Sequence, residues 1–168
     1  MKKFLIRNLK NISFCCLIFV MAAIFFFSSQ SAQESSELSG KIVTAVIKIF
    51  IPSYDKLPFF EQQIIQEKIS YVVRKTAHFT EFTALGFFLI LYLFSLNLNI
   101  KLFYLTFFSW LGGTFYAVID EIHQMFVKAR YSSVTDVLID SSGVLFGIII
   151  LSFLLKLYNK KELQEYSI

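Results

Sequence analysis

The sequence has few of the residues that mark soluble folds and familiar active sites. Charged residues make up only 17% of its 168 residues, whereas about 25% is usual for a soluble globular domain. It has two prolines, and its two cysteines, Cys15 and Cys16, are adjacent within an apolar run, which excludes a disulfide framework. Zinc-type Cys/His spacing, a phosphate-binding loop and a Gly-Xaa-Ser-Xaa-Gly elbow are also missing.

Apolar residues dominate instead. The chain is 56% hydrophobic and 18% aromatic, with 21 Phe. This composition indicates an integral membrane protein, and helices are expected because backbone polar groups must be satisfied internally within lipid. The net charge of +4 is small, and basic runs interleaved with aromatics are missing, so nucleic acid is not an expected partner. We predict an all-α protein with four transmembrane helices plus extracytoplasmic amphipathic helices, forming one membrane domain over residues 1–168.

Four apolar segments are long enough to approach the roughly 20 residues that a span requires. They cover about residues 9–29, 76–96, 100–119 and 134–157. The first follows a basic flank, a pattern that a secretory signal peptide also shows. We expect this segment to be retained as a transmembrane helix, and cleavage after it is the alternative.

The region of about residues 39–73 is amphipathic rather than uniformly apolar. Lys41, Thr44 and Lys48 share one helical face, and Pro52 ends this stretch. Pro58 is suited to start a second one. We predict helices that lie in the membrane interface; the alternative is a solvated linker with two short helices.

Four spans place both termini on the same side of the membrane. The flank before the first span carries Lys2, Lys3, Arg7 and Lys10. With these four included, Lys and Arg are tied at eight on each side, but the positive-inside rule weighs short flanks and often the first helix. Both termini are therefore predicted to be cytoplasmic.

Polar side chains concentrate at one level of three spans. Leu98 lies in the turn between the second and third spans. His78 is 20 residues before Leu98, and Asp120 is 22 residues after it. At about 1.5 Å per residue, both are about 30 Å from that turn. Arg74, His78 and Glu81 also share one helical stripe, because they are spaced by four and three residues.

Small residues lie below the acidic groups on the other two helices. Gly113 follows the face of Asp120, and Gly143 and Gly147 continue the stripe of Asp136 and Asp140. Small residues let membrane helices approach closely, so the polar stripes should face one another with Phe and Leu outward. Charge inside a span is costly and usually marks an ion-pair network or a functional site. The predicted ligand-binding set is Arg74, Lys75, His78, Glu81, Asp120, Glu121, His123, Gln124, Arg130, Asp136 and Asp140.

Three polar segments together resemble the VanZ-like family of bacterial membrane proteins. They are RKTAHFTEFTALG, YAVIDEIHQMFVKAR and SVTDVLIDSSGVLFG, and FSSQS after the first span also matches. The resemblance implies a small multi-span protein of the bacterial cytoplasmic membrane, with some members linked to resistance against teicoplanin-type glycopeptides. It implies no settled biochemical activity. The eleven predicted site residues match the family's polar pattern.

The favoured interpretation is a pocket for a lipid or cell-envelope ligand. Arg74, Lys75 and Arg130 are suited to grip a phosphate or carboxylate, and the acidic groups and Gln124 are suited to sugar hydroxyls or an amine. The bilayer lipids are the other expected partner, and the sequence leaves the oligomeric state open.

Two alternatives remain. A purely structural network would pair Arg74 and Arg130 with Asp120, Asp136 or Asp140. In an enzyme, some of the site residues would act as acid–base groups or as ligands for a metal. The catalytic candidates are His78, Glu81, Asp120, Glu121 and His123. Spacing alone is a weak metal signal and nearby cations repel a metal ion, so no metal and no cofactor are predicted.

Overall fold

The computed structural model describes residues 2–130 and 132–165, and side-chain environments for residues 8–130 and 132–157 within them. These described residues form helices and no strand. The helices are α1 (Lys2–Ser28), α2 (Ala32–Phe50), a 3-10 turn (Tyr54–Lys56), α3 (Phe59–Ser95), α4 (Leu102–Gln124) and α5 (Val134–Glu165). Four of them, α1, α3, α4 and α5, are long and apolar enough to cross a membrane. The predicted all-α fold with four spans is confirmed.

The amphipathic region begins earlier than predicted. Helix α2 starts at Ala32 instead of near residue 39, because Ser31 and Glu34 form a capping box. The Ser31 backbone N–H donates to Glu34 Oε2 at 2.8 Å, and the Glu34 N–H donates to Ser31 Oγ at 3.3 Å. This reciprocal pair satisfies donors that a helix start otherwise leaves free.

The second amphipathic stretch and the second span form one continuous helix. Pro58 is the N-cap of α3, and the 37 residues that follow contain no helix breaker. At 1.5 Å per residue α3 is about 55 Å long, whereas the hydrocarbon core of a bilayer is about 30 Å thick. The more polar first part of α3 therefore extends beyond the hydrocarbon.

Helix α4 also runs further than predicted, to Gln124 instead of residue 119. Nothing in Asp120–Gln124 breaks a helix, and the polar side chains of Asp120, Glu121 and Gln124 are buried. They therefore project from a regular helix and not from a loop.

Helix α3 is central and packs against α1, α2, α4 and α5, most extensively against α5. Glycines permit this packing. A Cβ atom on Gly147 would overlap the Thr83 carbonyl oxygen, and one on Gly86 would overlap the Val144 carbonyl. Phe82 and Val144 are fully buried at this contact, whereas Phe19 is 74% exposed. The predicted close approach at small residues is present, but Phe and Leu are not all directed outward, because Phe82 and Leu85 are buried at the helix contact.

Two connections set the antiparallel arrangement of α3, α4 and α5, and the second lies at the polar ends of the helices. Residues 96–101 join α3 to α4 and contain Asn97 in the left-handed region, with φ of 53°. Asn adopts this region more readily than most residues. A second loop, residues 125–133, returns the chain from α4 to α5. This loop lies beside the charged ends of all three helices.

Candidate functional site

A polar cavity of about 370 Å³ lies between α3, α4, α5 and the loop before α5. Tyr71, Ala129 and Ser133 contribute to its wall. Eight of the eleven predicted site residues also line it: Arg74, Lys75, His78, Glu121, Gln124, Arg130, Asp136 and Asp140. The convergence that equal helix depth predicts is therefore present.

The other three predicted residues lie elsewhere. Asp120 is buried behind the cavity, with 3% of its surface exposed. Glu81 lines a second cavity. The ring of His123 stacks on Phe25 of α1 at a centroid distance of 4.5 Å. His123 is therefore a packing residue between α1 and α4 and does not line either cavity.

Asp120 is held by two hydrogen bonds. The Ser28 hydroxyl and the Gln124 side-chain N–H each donate to Asp120 Oδ2 at 2.8 Å. Ser28 is fully buried at the last residue of α1. Ser28 is not among the predicted site residues, although it lies in FSSQS, at the end of the first span. That end is at the same level as the polar residues of the other spans.

Arg130 binds the end of α1 and not an acid. Its Nε donates to the Gln30 carbonyl at 3.0 Å and its NH2 group to the Phe27 carbonyl at 3.2 Å. The last carbonyls of a helix lack intrahelical donors, and a cation there complements the helix dipole. The structural alternative paired Arg130 with Asp120, Asp136 or Asp140, and among the described side chains Arg130 forms no such pair.

Asp136 forms an ion pair with Lys75 of α3. Both side chains are mostly buried, with 23% of Lys75 and 16% of Asp136 exposed, and Lys75 also lies 5.3 Å from the ring centre of Tyr71. The structural alternative paired the acids with Arg74 or Arg130, but the cation that reaches Asp136 is Lys75, the residue after Arg74 in α3. Glu121 accepts the Ser133 N–H at 2.9 Å and so fixes the chain just before α5.

Arg74 lies between the two cavities and lines both. Among the described side chains it has no hydrogen bond or ion pair, so its guanidinium donors are available. Burial, and secondarily the charge of Arg74, lower the pKa of Arg130 from its ordinary value. Two guanidinium groups close together, one of them without a partner, favour an anion between them.

His78, Asp120 and Asp140 come from three different helices and meet at one point. Potential ligand atoms of these three residues lie within 4.8 Å of one another. The His78 Nδ1 atom is 3.9 Å from Glu81 Oε2, which is too far for a hydrogen bond. Asp140 is 2% exposed, and its Oδ2 atom has no hydrogen-bond partner among the described residues.

Of the other catalytic candidates, His123 packs on Phe25, and Glu81 lines the second cavity with its Oε2 atom 3.9 Å from His78 Nδ1. Within the described part of the chain, the group with ligand-like geometry is instead the trio of His78, Asp120 and Asp140.

The second cavity, of about 360 Å³, lies under α2 and has a largely apolar wall. Arg74, His78 and Arg130 line it as well as the polar cavity. Its apolar residues are Phe27, Leu38, Ile42, Val73 and Ala77. The two cavities therefore adjoin, with three polar side chains between them.

These features define a multi-pass helical membrane protein with a buried polar site near one end of its spans. A model of the VanZ/LLP1 family matches residues 13–156, most of the chain, so the protein belongs to that family. The match includes all eleven predicted site residues. Comparison with curated protein sequences and with solved structures found no match.

Proposed function

We propose that this VanZ/LLP1 protein binds an anionic amphiphile of the cell envelope, such as a lipid or lipid-linked molecule. The observation that carries the proposal is the pair of adjoining cavities that share Arg74, His78 and Arg130. One is lined by charge and the other has an apolar wall. An amphiphile has the same two parts, a charged headgroup and an acyl or prenyl chain.

The headgroup would bind Arg74. This guanidinium lacks a partner among the described residues, whereas Arg130 is held by two carbonyls and Lys75 by Asp136. Arg offers two parallel donors that match phosphate or carboxylate oxygens. The bound anion would also offset the repulsion between Arg74 and Arg130.

The chain of the amphiphile would lie in the second cavity. Helix α2 covers this space with Leu38 and Ile42, and α3 contributes Val73 and Ala77. Helix α2 itself has an exposed apolar face, with Ile49 71% exposed and Phe50 76% exposed. Such a helix lies at the membrane surface, where a ligand can enter from the bilayer.

The cavities are proposed to open on the outer face of the bacterial cytoplasmic membrane, with both termini in the cytoplasm. The basic flank of α1 supports this orientation. Glycopeptide antibiotics act outside that membrane, so a contribution to teicoplanin-type resistance is part of the proposal.

The structural alternative accounts for some residues and not for others. Asp120, Gln124 and Arg130 have their partners within the protein, and a structural role explains them. Arg74 has no such partner among the described residues, and both cavities adjoin it. Ligand binding therefore depends on Arg74.

Native mass spectrometry of gently solubilised protein tests the proposal. The wild type should retain an amphiphile with a phosphate or carboxylate group, and Arg74→Gln should retain at most about a tenth as much, the loss expected from one charge-assisted contact. Lys68→Gln is the matched control, because Lys68 is an exposed cation on α3 outside both cavities. Equal retention of the same species by the wild type and by Arg74→Gln would overturn the proposal.

A further inference from the structure

The eight predicted residues that line the polar cavity balance in charge, with three acids and three bases. The buried carboxylate of Asp120 lies behind this lining and adds a negative charge close to Asp140, which is itself 2% exposed. Unbalanced charge at membrane depth is costly. The pair of buried carboxylates therefore favours a compensating positive charge at this point.

The unbalanced negative charge lies on the carboxylates that, within the described part of the chain, have no cationic or hydrogen-bonding partner for one of their oxygens. Lys75 is paired with Asp136, and Glu121 accepts a backbone N–H from Ser133. Asp140 is nine-tenths buried or more, and its Oδ2 atom points at no donor among the described residues. The imidazole Nδ1 of His78 is buried and likewise without a hydrogen bond.

The geometry of the trio suits one ion. Carboxylate and imidazole ligands bind Zn²⁺ at about 2.0–2.2 Å, so two ligand atoms on one ion lie about 3–4.5 Å apart. The ligand atoms of His78, Asp120 and Asp140 lie within 4.8 Å of one another. Small side-chain rotations would close the difference.

Asp120 is already oriented for this role. Ser28 and Gln124 both donate to its Oδ2 atom, and hydrogen bonds of this kind hold a ligating carboxylate in position. The guanidinium of Arg130 is drawn away toward the carbonyls of Phe27 and Gln30. Of the two cations nearest to His78 in sequence, Lys75 is neutralised by Asp136, and Arg74 lines the same cavity, where a bound anion would offset its charge.

We propose that His78, Asp120 and Asp140 bind one divalent cation of the Mn²⁺ or Zn²⁺ class at the floor of the polar cavity. Two carboxylates and a neutral imidazole match the charge and the ligand preference of such ions. His78 and Asp140 line the cavity, so the remaining coordination positions face it. The site is built entirely from side chains of this protein and does not depend on the proposed amphiphile.

The sequence predicted no metal, because the three ligands come from three helices and have no characteristic spacing. The tertiary packing of α3, α4 and α5 assembles them. A metal at this position would also extend the proposed function, since an open coordination position can take a phosphate or carboxylate oxygen of a headgroup.

Metal binding by the purified full-length protein tests the proposal. After chelator treatment and detergent exchange, the protein is titrated with Mn²⁺ and, separately, Zn²⁺, and bound metal is measured by equilibrium dialysis with elemental analysis. The wild type should bind one equivalent of at least one of these ions. Asp140→Asn and His78→Gln should each lower the affinity at least about 100-fold, since even outer-shell losses cost about 10- to 100-fold.

His123→Gln is the matched control, because His123 packs on Phe25 and lies outside the trio. It should bind the metal as the wild type does. The thermal midpoint of each variant in chelator shows that it is folded, and added metal should raise that of the wild type and not that of Asp140→Asn. Absence of stoichiometric uptake of either ion by the wild type, or equal affinity in Asp140→Asn, overturns the metal site and leaves bound protons as the source of charge balance. Amphiphile retention is measured separately, so either proposal can fail without the other.

Discussion

The hydroxyl of Ser28, at the end of α1, donates a 2.8 Å hydrogen bond to the buried carboxylate of Asp120 on α4. The two residues are 92 positions apart in the chain. This contact joins the first membrane span to the polar site that α3, α4 and α5 build. Helix α1 therefore contributes a hydrogen-bond donor to the site in addition to being a candidate membrane span.

Ser28→Ala should destabilise the protein by roughly 1–2 kcal/mol, because it removes a donor from a buried carboxylate. For a chain of this size, the thermal midpoint in detergent should fall by about 2–8 °C. Ser29→Ala is the control, since the exposed Ser29 hydroxyl bonds only to its own helix, at the Phe25 carbonyl. Equal midpoints for the two variants would contradict the importance of the Ser28–Asp120 contact.

Gly147→Ala should lower stability by about 1–3 kcal/mol or more, because the added methyl group overlaps the Thr83 carbonyl of α3. Gly40→Ala provides a matched substitution in another helix, where a Cβ atom meets nothing within 4 Å. Gly40→Ala should be neutral or stabilise α2 by up to about 1 kcal/mol, through helix propensity. Thermal unfolding of both variants in detergent measures the difference. A tolerated Gly147→Ala would show that α3 and α5 pack less closely than described.

A double-mutant cycle should identify the ion pair of the site. Lys75→Ala and Asp136→Ala should show a coupling energy of about 1 kcal/mol, because the two side chains are in direct contact and mostly buried. Arg74→Ala and Asp120→Ala should be additive within about 0.5 kcal/mol, since these two residues form no ion pair with each other. Stabilities are read from unfolding in mixed micelles. A larger coupling for Arg74 with Asp120 than for Lys75 with Asp136 would reverse this assignment.

Cysteine labelling in intact cells should test the orientation in the membrane. In a background with Cys15→Ala and Cys16→Ala, Lys128→Cys should react with a membrane-impermeant thiol reagent and Asn99→Cys should not. Both positions are exposed, so the difference reports the side of the membrane and not burial. Labelling at residue 99 and protection at residue 128 would place the cavities on the cytoplasmic side.

The sequence was most informative where a local pattern is sufficient. Apolar length predicts where the four spans lie, but α3 begins at Phe59 instead of near residue 76 and α4 continues to Gln124. Equal helix depth predicts that His78 and Asp120 meet, because the rise of an α-helix is constant. Glycine spacing likewise predicts the close packing at Gly143 and Gly147, which the structure confirms.

The sequence was less informative about partners within the cluster. The structural alternative paired acids with Arg74 and Arg130, whereas Asp136 pairs with Lys75 and Arg130 binds carbonyls at the end of α1. Charge alone does not distinguish an acid from a helix end as the partner of a guanidinium, because both are negative. Which of them lies within reach depends on how α1 packs.

The chain by itself determined that this is an all-α membrane protein with four candidate spans and a band of charge at one level, because hydropathy and helical periodicity are local properties. Only the tertiary structure decided which charges remain without partners and what lies next to them. It placed Ser28 on Asp120, turned His123 onto Phe25, and brought His78, Asp120 and Asp140 within 4.8 Å. The physical reason is that each of these distances depends on the rotation of one helix about its axis relative to another, which the packing of several helices fixes together.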